Sequence, residues 1–258
     1  MSTIGICGYG TVGQSFVSHV QLHMDKIVSN IRSASNDGDI KIVIADRSIH
    51  KKDYPPNIRV TEDPMDLVTD PHIDIIIELL GGIELPYKII TESMKNGKSV
   101  ITANKALIAE HGAEIFQLAK EKHVYFGFEA AVAGAIPVIS ALSKSMSNEN
   151  IISIVGIING TCNYILDQMT TNGISFDDAL TSAKDLGYAE ADPTLDINGT
   201  DAAHKISILA SMVYRINLPL NKIFIQGIED ITSMDIKYAS ELGYSIKHVG
   251  ITRKAKNS

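Results

Sequence analysis

The sequence predicts an α/β fold, a doubly wound parallel sheet followed by a smaller α+β domain. Three observations carry the prediction. The glycine-rich run Gly8-Tyr9-Gly10-Thr11-Val12-Gly13 follows a short apolar strand and opens a helix. Near-continuous apolar stretches alternate with helical patterns through the first half, as strands buried on both faces require. After Glu129 that rhythm stops, and helices with isolated strands replace it.

In chain order, Ile4 to Cys7 reads as the first strand. Thr11 to about Ile31 has helical spacing, with Val12, Phe16, Val20, Ile27 and Ile31 roughly on one face. The polar stretch Ser33 to Gly38 breaks the pattern. Ile40 to Ala45, Ile73 to Leu80, Ser99 to Thr102 and Val124 to Phe128 read as further strands, with helices at about 85–96 and 104–121. Ala130 to Ala135 is a run of small residues, and Pro137 then opens a helix to about Met146. Ile151 to Ile158 reads as a strand, followed by helices at about 162–172, 176–185 and 199–213. Met234 to Leu242 is a further helix and Tyr244 to Ile251 a strand. The domain boundary falls near 130, giving a first domain of residues 1–130 and a second of 131–258.

With 258 residues the chain is long enough for one large or two modest domains. Apolar residues make up 45% and charged residues 21%, an ordinary globular composition. A net charge of −7 argues against a nucleic-acid partner. No segment approaches the roughly 20 apolar residues of a membrane span. The N-terminus enters a strand at once, without the regions of a signal peptide. The two cysteines, Cys7 and Cys162, have no metal-ligand spacing and make no disulfide scaffold. The expected setting is a reduced cytoplasm.

The glycine run has a specific physical reading. Gly8 permits a tight turn, Gly10 lets backbone approach a pyrophosphate, and Gly13 lets the helix pack closely on the strand. The amides of Tyr9, Thr11 and Val12 sit with them at a helix N-terminus, where an anion is favoured. Together with Asp46, at the end of the next strand, this predicts a Rossmann-type site for a dinucleotide. Asp46 would accept from a ribose 2′-hydroxyl, as in NAD. Arg47, Lys51 and Lys52 follow and would suit the 2′-phosphate of NADP. The two lysines read better as a solvated loop, and the choice between NAD and NADP stays open. Two further strand ends lie on the same edge: Glu78-Leu79-Leu80-Gly81-Gly82, where Gly81 lets backbone approach the cofactor, and Thr102-Ala103-Asn104-Lys105. Lys105 therefore points near the nicotinamide end, although a helix N-terminus disfavours a cation.

The second half carries an acid and an amine one helical turn apart, Asp201 and Lys205, after a run of carboxylates at Glu190, Asp192 and Asp196. Ala202, Ala203, Ile206, Ile208 and Leu209 make that helix mostly buried, so the pair faces a cleft rather than bulk water. With a hydride carrier at the other end, the pair suits a dehydrogenase that needs a proton donor. His204 lies about 100° away on the helix and reads as structural. Asn159-Gly160-Thr161 is a turn at a helix N-terminus, either a carboxylate site or a helix cap by Thr161.

These residues carry a resemblance. The chain resembles homoserine dehydrogenase along its length, in GYGTVG at 8–13, ELLGG at 78–82, TANKAL at 102–107 and FEAAVAGAIPVI at 128–139. It continues through INGTCNYIL at 158–166, LGYAEADPTLDINGTDAAHK at 186–205 and GIEDIT at 227–232. The stretch at 186–205 is the most specific. The resemblance implies reversible reduction of L-aspartate 4-semialdehyde to L-homoserine by a nicotinamide cofactor, NADP or NAD, on the route to threonine, isoleucine and methionine. It implies a homodimer built through the second domain. It places Lys205 as the catalytic lysine, Glu190 and Asp201 as substrate-binding acids, and Lys105 near nicotinamide and substrate. Gly187 matches a glycine on the cofactor side of the substrate loop. Glu129, Val132, Gly134 and Ile136 match positions whose oxygens bind a monovalent cation, usually sodium.

Two departures stand out. No regulatory domain is expected after the catalytic part, and so no threonine feedback through one. Family members also continue beyond the strand near 244–251, whereas this chain ends in the basic tail Arg253 to Ser258. A truncated product, a fragment or one part of a split enzyme is the expectation, and an incomplete sheet leaves an open edge. The alternatives to an active enzyme are a non-catalytic or partner-dependent dinucleotide-binding fragment, and a related amino-acid dehydrogenase acting on another carbonyl. The 186–205 stretch argues against the last.

Overall fold

The computed structural model describes residues 2–32 and 40–255. The polar stretch at 33–38 and the last three residues of the basic tail lie outside the described residues. The chain divides into two compact units, Met1–Ala135 and Ile136–Ser258.

The first unit is a six-stranded parallel sheet. Its strands are β1 (Ser2–Cys7), β2 (Ile40–Ala45), β3 (Arg59–Thr61), β4 (Ile75–Glu78), β5 (Ser99–Thr102) and β6 (Phe126–Gly127), in the order β3-β2-β1-β4-β5-β6. That order reverses beside β1, so the crevice outside the carboxyl ends of β1 and β4 is the expected ligand site of a doubly wound sheet. The apolar runs have the predicted cause: Ile6, Ile44, Ile76 and Val100 are fully buried. Helices α1 (Thr11–Leu22), α2 (Met24–Arg32), α3 (Pro64–Thr69), α4 (Glu84–Lys95) and α5 (Lys105–Lys122) connect the strands.

Three details differ from the sequence reading. The single helix expected over 11–31 is two, α1 and α2, divided at His23, whose backbone leaves the helical region. No glycine or proline marks that break. Val12 is also 59% exposed. Of the predicted stripe, Val20 is buried and Phe16 and Ile27 pack against the same core, while Gly13 and Val17, not Val12, complete the buried face. Both β3 and α3 were unforeseen. β3 has three residues and shows no period, whereas the Asp63 cap on the Met65 amide, with Pro64 in the first turn, was a readable helix start. The strand at 124–128 shrinks to β6, within an aromatic cluster of Phe116, Phe126 and Phe128.

The second unit is mainly helical. The segment after Pro137 forms the three-residue helix α6 (Val138–Ser140) and then widens into a π-helical turn, Ala141–Ser145. Next come β7 (Ser153–Gly156), α7 (Gly160–Asn172), α8 (Phe176–Asp185), α9 (Thr194–Ile197), α10 (Thr200–Tyr214), α11 (Ser233–Glu241) and β8 (Gly250–Arg253). β7 and β8 pair antiparallel. Cys162, Ile165 and Leu166 of α7 pack with Ala179 and Ala183 of α8 and with Ile228 and Ile236.

The strand predicted at 244–251 is displaced to β8. Asn163 takes the backbone groups of His248 that a ladder would use: Nδ2 donates to its carbonyl at 2.8 Å and Oδ1 accepts its amide at 3.0 Å. At Gly250 a side chain would meet Ile158 at 2.4 Å, so the strand begins where the chain crosses that residue closely. Among the described residues no helix is long and apolar enough to cross a membrane.

Candidate active site

The glycine run forms the turn between β1 and α1. Gly8 adopts φ +103°, a left-handed conformation that favours glycine, and a Cβ there would lie 2.9 Å from the Leu79 carbonyl oxygen. A Cβ on Gly13 would lie 2.3 Å from the Gly8 carbonyl oxygen, so only glycine lets the helix start this close to the strand. Gly10, by contrast, faces open space. No side chain caps α1 and no acid lies in its first turn. Thr11 and Val12 are exposed there. An open, uncapped helix start fits a pyrophosphate.

Asp46 follows β2. Its Oδ2 accepts from Lys52 Nζ at 2.5 Å and from the Tyr54 hydroxyl at 3.1 Å, and its Oδ1 accepts from the Ser48 amide. Burial pushes the Asp46 carboxyl upward, but these hydrogen bonds and the Lys52 charge outweigh it and hold the group below the usual carboxylate range. Lys52 Nζ also donates to the Tyr9 carbonyl at 2.8 Å, and the Tyr9 and Tyr54 rings stack at 4.9 Å. Lys52 is thus not a solvated loop lysine. It ties the glycine turn to the acid after β2, while Lys51 and Arg47 are exposed.

On the other side of β1, the ends of β4 and β5 come together. Gly81 faces open space and Gly82 has φ +83°. Asn104 caps α5 by accepting from the Leu107 amide at 3.1 Å, and its Nδ2 donates to the Gly82 carbonyl at 2.8 Å. Lys105 is the first residue of that helix.

In the second unit, Asp201 and Lys205 of α10 form a buried ion pair. Lys205 Nζ donates to Asp201 Oδ2 at 2.6 Å and to the Ile158 carbonyl at 2.8 Å. The Lys205 side chain is 17% exposed and that of Asp201 is 4% exposed. The helix start is fixed by a glycine crossing: Gly199 adopts φ +85°, and a Cβ on Gly227 would lie 2.4 Å from the Ile197 carbonyl oxygen. Asn159 completes the cluster. Its Nδ2 donates to Asp201 Oδ2 at 2.9 Å and to Asp196 Oδ1 at 2.7 Å, while its Oδ1 caps α7 by accepting from the Cys162 amide.

The cap is therefore Asn159, not Thr161, whose hydroxyl donates to the Tyr188 carbonyl at 2.6 Å. That bond and the buried Ala189 anchor the loop that carries Gly187, at φ +76°, and the exposed Glu190. Asp192 turns back to Thr194 at the start of α9.

Glu129, Val132 and Gly134 lie in the last turns of the first unit, and Ile136 is the first residue of the second. Ala133 and Gly134 are both left-handed, at φ +62° and +53°, which bends the backbone sharply. Among the described residues no three His, Cys, Asp or Glu side chains gather to hold a metal. The thiols of Cys7 and Cys162 are both buried and pushed up to about 12, mainly by burial.

Sequence reasoning passed over Asn163, read Lys52 as a solvated loop lysine, and placed Asn159 in the turn while giving the cap to Thr161. An asparagine just before a helix is a favoured cap, so Asn159 carried a signal. The long reaches of Lys52 to Tyr9 and of Asn163 to His248 carried none.

The comparisons agree with this geometry. Residues 8–129 match the family model described as homoserine dehydrogenase, NAD binding domain, and residues 137–257 match the one described as homoserine dehydrogenase. The homoserine dehydrogenase of Pseudomonas aeruginosa is 45% identical over 254 residues, covering 98% of this chain and 58% of that protein. That of Helicobacter pylori is also 45% identical, over 97% of this chain and 58% of its own length. The crystal structure of a homoserine dehydrogenase from Thiobacillus denitrificans superposes with a TM-score of 0.91 at 42% identity, covering 99% of this chain and 59% of that one. The chain thus spans less than three-fifths of the length of each of these three relatives. Its first unit is a nicotinamide-dinucleotide-binding domain. Matched in order along nearly all of its sequence by both models, the chain belongs to the homoserine dehydrogenase family.

Proposed function

We propose that the chain interconverts L-homoserine and L-aspartate 4-semialdehyde with a nicotinamide dinucleotide, a step toward threonine, isoleucine and methionine. The observation that carries this is the buried Asp201–Lys205 pair. Lys205 Nζ has three N–H donors, two of them engaged by Asp201 and the Ile158 carbonyl. The third is left for a substrate oxygen. The dinucleotide supplies the hydride when bound. Lys205 then holds a proton at the aldehyde oxygen as charge grows there. Asp201 orients that amine and contacts the substrate beside it. Glu190, an exposed carboxylate on an anchored loop, takes the substrate ammonium.

In the first unit, Gly8, Tyr9, Gly10, Thr11, Val12 and Gly13 take the pyrophosphate. Asp46 takes the adenosine ribose. Arg47 and Lys52 beside it allow a 2′-phosphate, so both NAD and NADP are accepted. Gly81 and Lys105 meet the nicotinamide half. Oxygens of Glu129, Val132, Gly134 and Ile136 would hold a monovalent cation such as sodium, a hard ion suited to oxygen ligands. The second unit binds substrate and mediates a homodimer, and the protein works in the cytoplasm.

A second reading, a fragment that binds dinucleotide but needs a partner for turnover, is favoured by the 58% coverage of the relatives. Initial rates with homoserine and with the same alcohol lacking its ammonium test the assignment. A strong preference for homoserine that vanishes in Glu190→Gln supports it. Equal rates with both alcohols would refute the role of Glu190.

A further inference from the structure

Among the described residues, the roles proposed above leave Glu78, a buried carboxyl at a strand end, unused. It ends β4 fully buried. Oε1 accepts from the Leu80 amide at 2.7 Å and Oε2 accepts from the Thr102 hydroxyl at 2.5 Å. The Thr102 oxygen in turn accepts from the Asn104 amide at 2.9 Å. Asn104 Nδ2 then reaches back to the Gly82 carbonyl at 2.8 Å. One continuous chain of hydrogen bonds therefore runs from the end of β4, under the end of β5, and back to the diglycine. The β1–β4 ladder continues as far as Leu79, whose amide donates to the Cys7 carbonyl at 2.9 Å; beyond it these side chains fix where Leu80 to Gly82 and Asn104 sit.

The sheet order says which half of a dinucleotide those loops receive. The glycine turn after β1 takes the pyrophosphate, and Asp46 after β2 takes the adenosine ribose. β4 and β5 lie on the opposite side of β1, which leaves them the nicotinamide half. We propose that Glu78, acting through Thr102 and Asn104, is a positioning residue that fixes the loops receiving the nicotinamide half of the cofactor, and with them Lys105, the residue after Asn104. The proposal rests on the dinucleotide reading of the glycine turn. It assigns Glu78 no contact with the cofactor. Its charge is buried because a carboxyl can hold one amide and one hydroxyl in fixed directions, which an apolar residue cannot.

The test is a binding titration of the full chain with NADH and with ADP-ribose, which keeps the adenosine and pyrophosphate but lacks the nicotinamide. Thr102→Val removes the hydroxyl at nearly constant shape, and Thr102→Ser restores it. T102V is expected to weaken NADH by about tenfold, the loss of a hydrogen bond to a charged group. ADP-ribose binding is expected to stay within about twofold of the parent, and T102S to recover NADH binding. Should T102V not fold, Glu78→Gln carries the same comparison, since its amide has one acceptor oxygen and cannot replace both carboxylate oxygens toward the Leu80 amide and the Thr102 hydroxyl. Equal weakening of both ligands would mean a merely structural role and overturn the proposal, as would unchanged NADH binding. A parent chain that bound neither ligand would overturn the dinucleotide reading itself, a different and separately visible failure.

Discussion

Lys205 Nζ lies 2.6 Å from Asp201 Oδ2, one helical turn away on α10, with Asp201 buried and Lys205 mostly so. An exposed pair at this spacing contributes a few tenths of a kcal/mol at most. A buried one behaves differently, because removing either member takes away the other's ion partner in a low-dielectric site. Both stability and chemistry therefore depend on it.

Lys205→Ala should lower turnover by about a thousandfold, the scale of a lost general acid. NADH binding, which belongs to the first unit, should remain within about twofold. The same variant should lose about 3 kcal/mol or more in denaturant unfolding of the second unit, since Asp201 keeps its charge in a buried site. Paired kinetics and titration check this, and near-normal rates would remove Lys205 from the proton-donor role.

Asn159→Ala should destabilise the second unit by about 2–4 kcal/mol. It removes a helix cap and leaves two carboxylate oxygens short of a donor. Urea unfolding with a probe in α7 would show it. A change under about 0.5 kcal/mol, the range of an ordinary surface substitution, would contradict the bridging role.

Lys52 sits between the glycine turn and Asp46. If it also serves a 2′-phosphate, Lys52→Ala should weaken NADP by about tenfold. NAD should change by less than about threefold. Equal losses for both cofactors would assign Lys52 to the loop's structure alone.

Glu78 predicts a pH effect. Burial, the dominant cause, raises its carboxyl above the ordinary glutamate value of 4.5, with the Thr102 and Leu80 hydrogen bonds acting the other way. A raised folded pKa means the native state binds the proton more tightly than the unfolded chain. Its contribution to stability is complete below 4.5 and declines as pH rises through the shifted value. Glu78→Gln should flatten that decline in urea midpoints taken upward from pH 4.5. A slope unchanged by the substitution would contradict the shift.

The first unit was largely legible in the sequence because its signals are local. Ile40–Ala45 and Ser99–Thr102 are strands with the predicted bounds, the first a near-continuous apolar run and the second a short β-branched stretch around Val100 and Ile101. Asp201 and Lys205 were legible because helical spacing alone brings them together. Lys52 with Tyr9, and Asn163 with His248, are separated by 43 and 85 residues, and no local pattern encodes such reaches. The displaced strand at 244–251 failed for the same reason: its backbone partners belong to Asn163, far away in the chain.

The most direct measurement is oxidation of L-homoserine by the purified chain, followed through the absorbance of the reduced nicotinamide, with NAD and NADP in turn. The proposal predicts turnover with both cofactors, lost in Lys205→Ala. Cofactor binding without any homoserine-dependent reduction, at saturating concentrations of both, would contradict it and leave a dinucleotide-binding fragment.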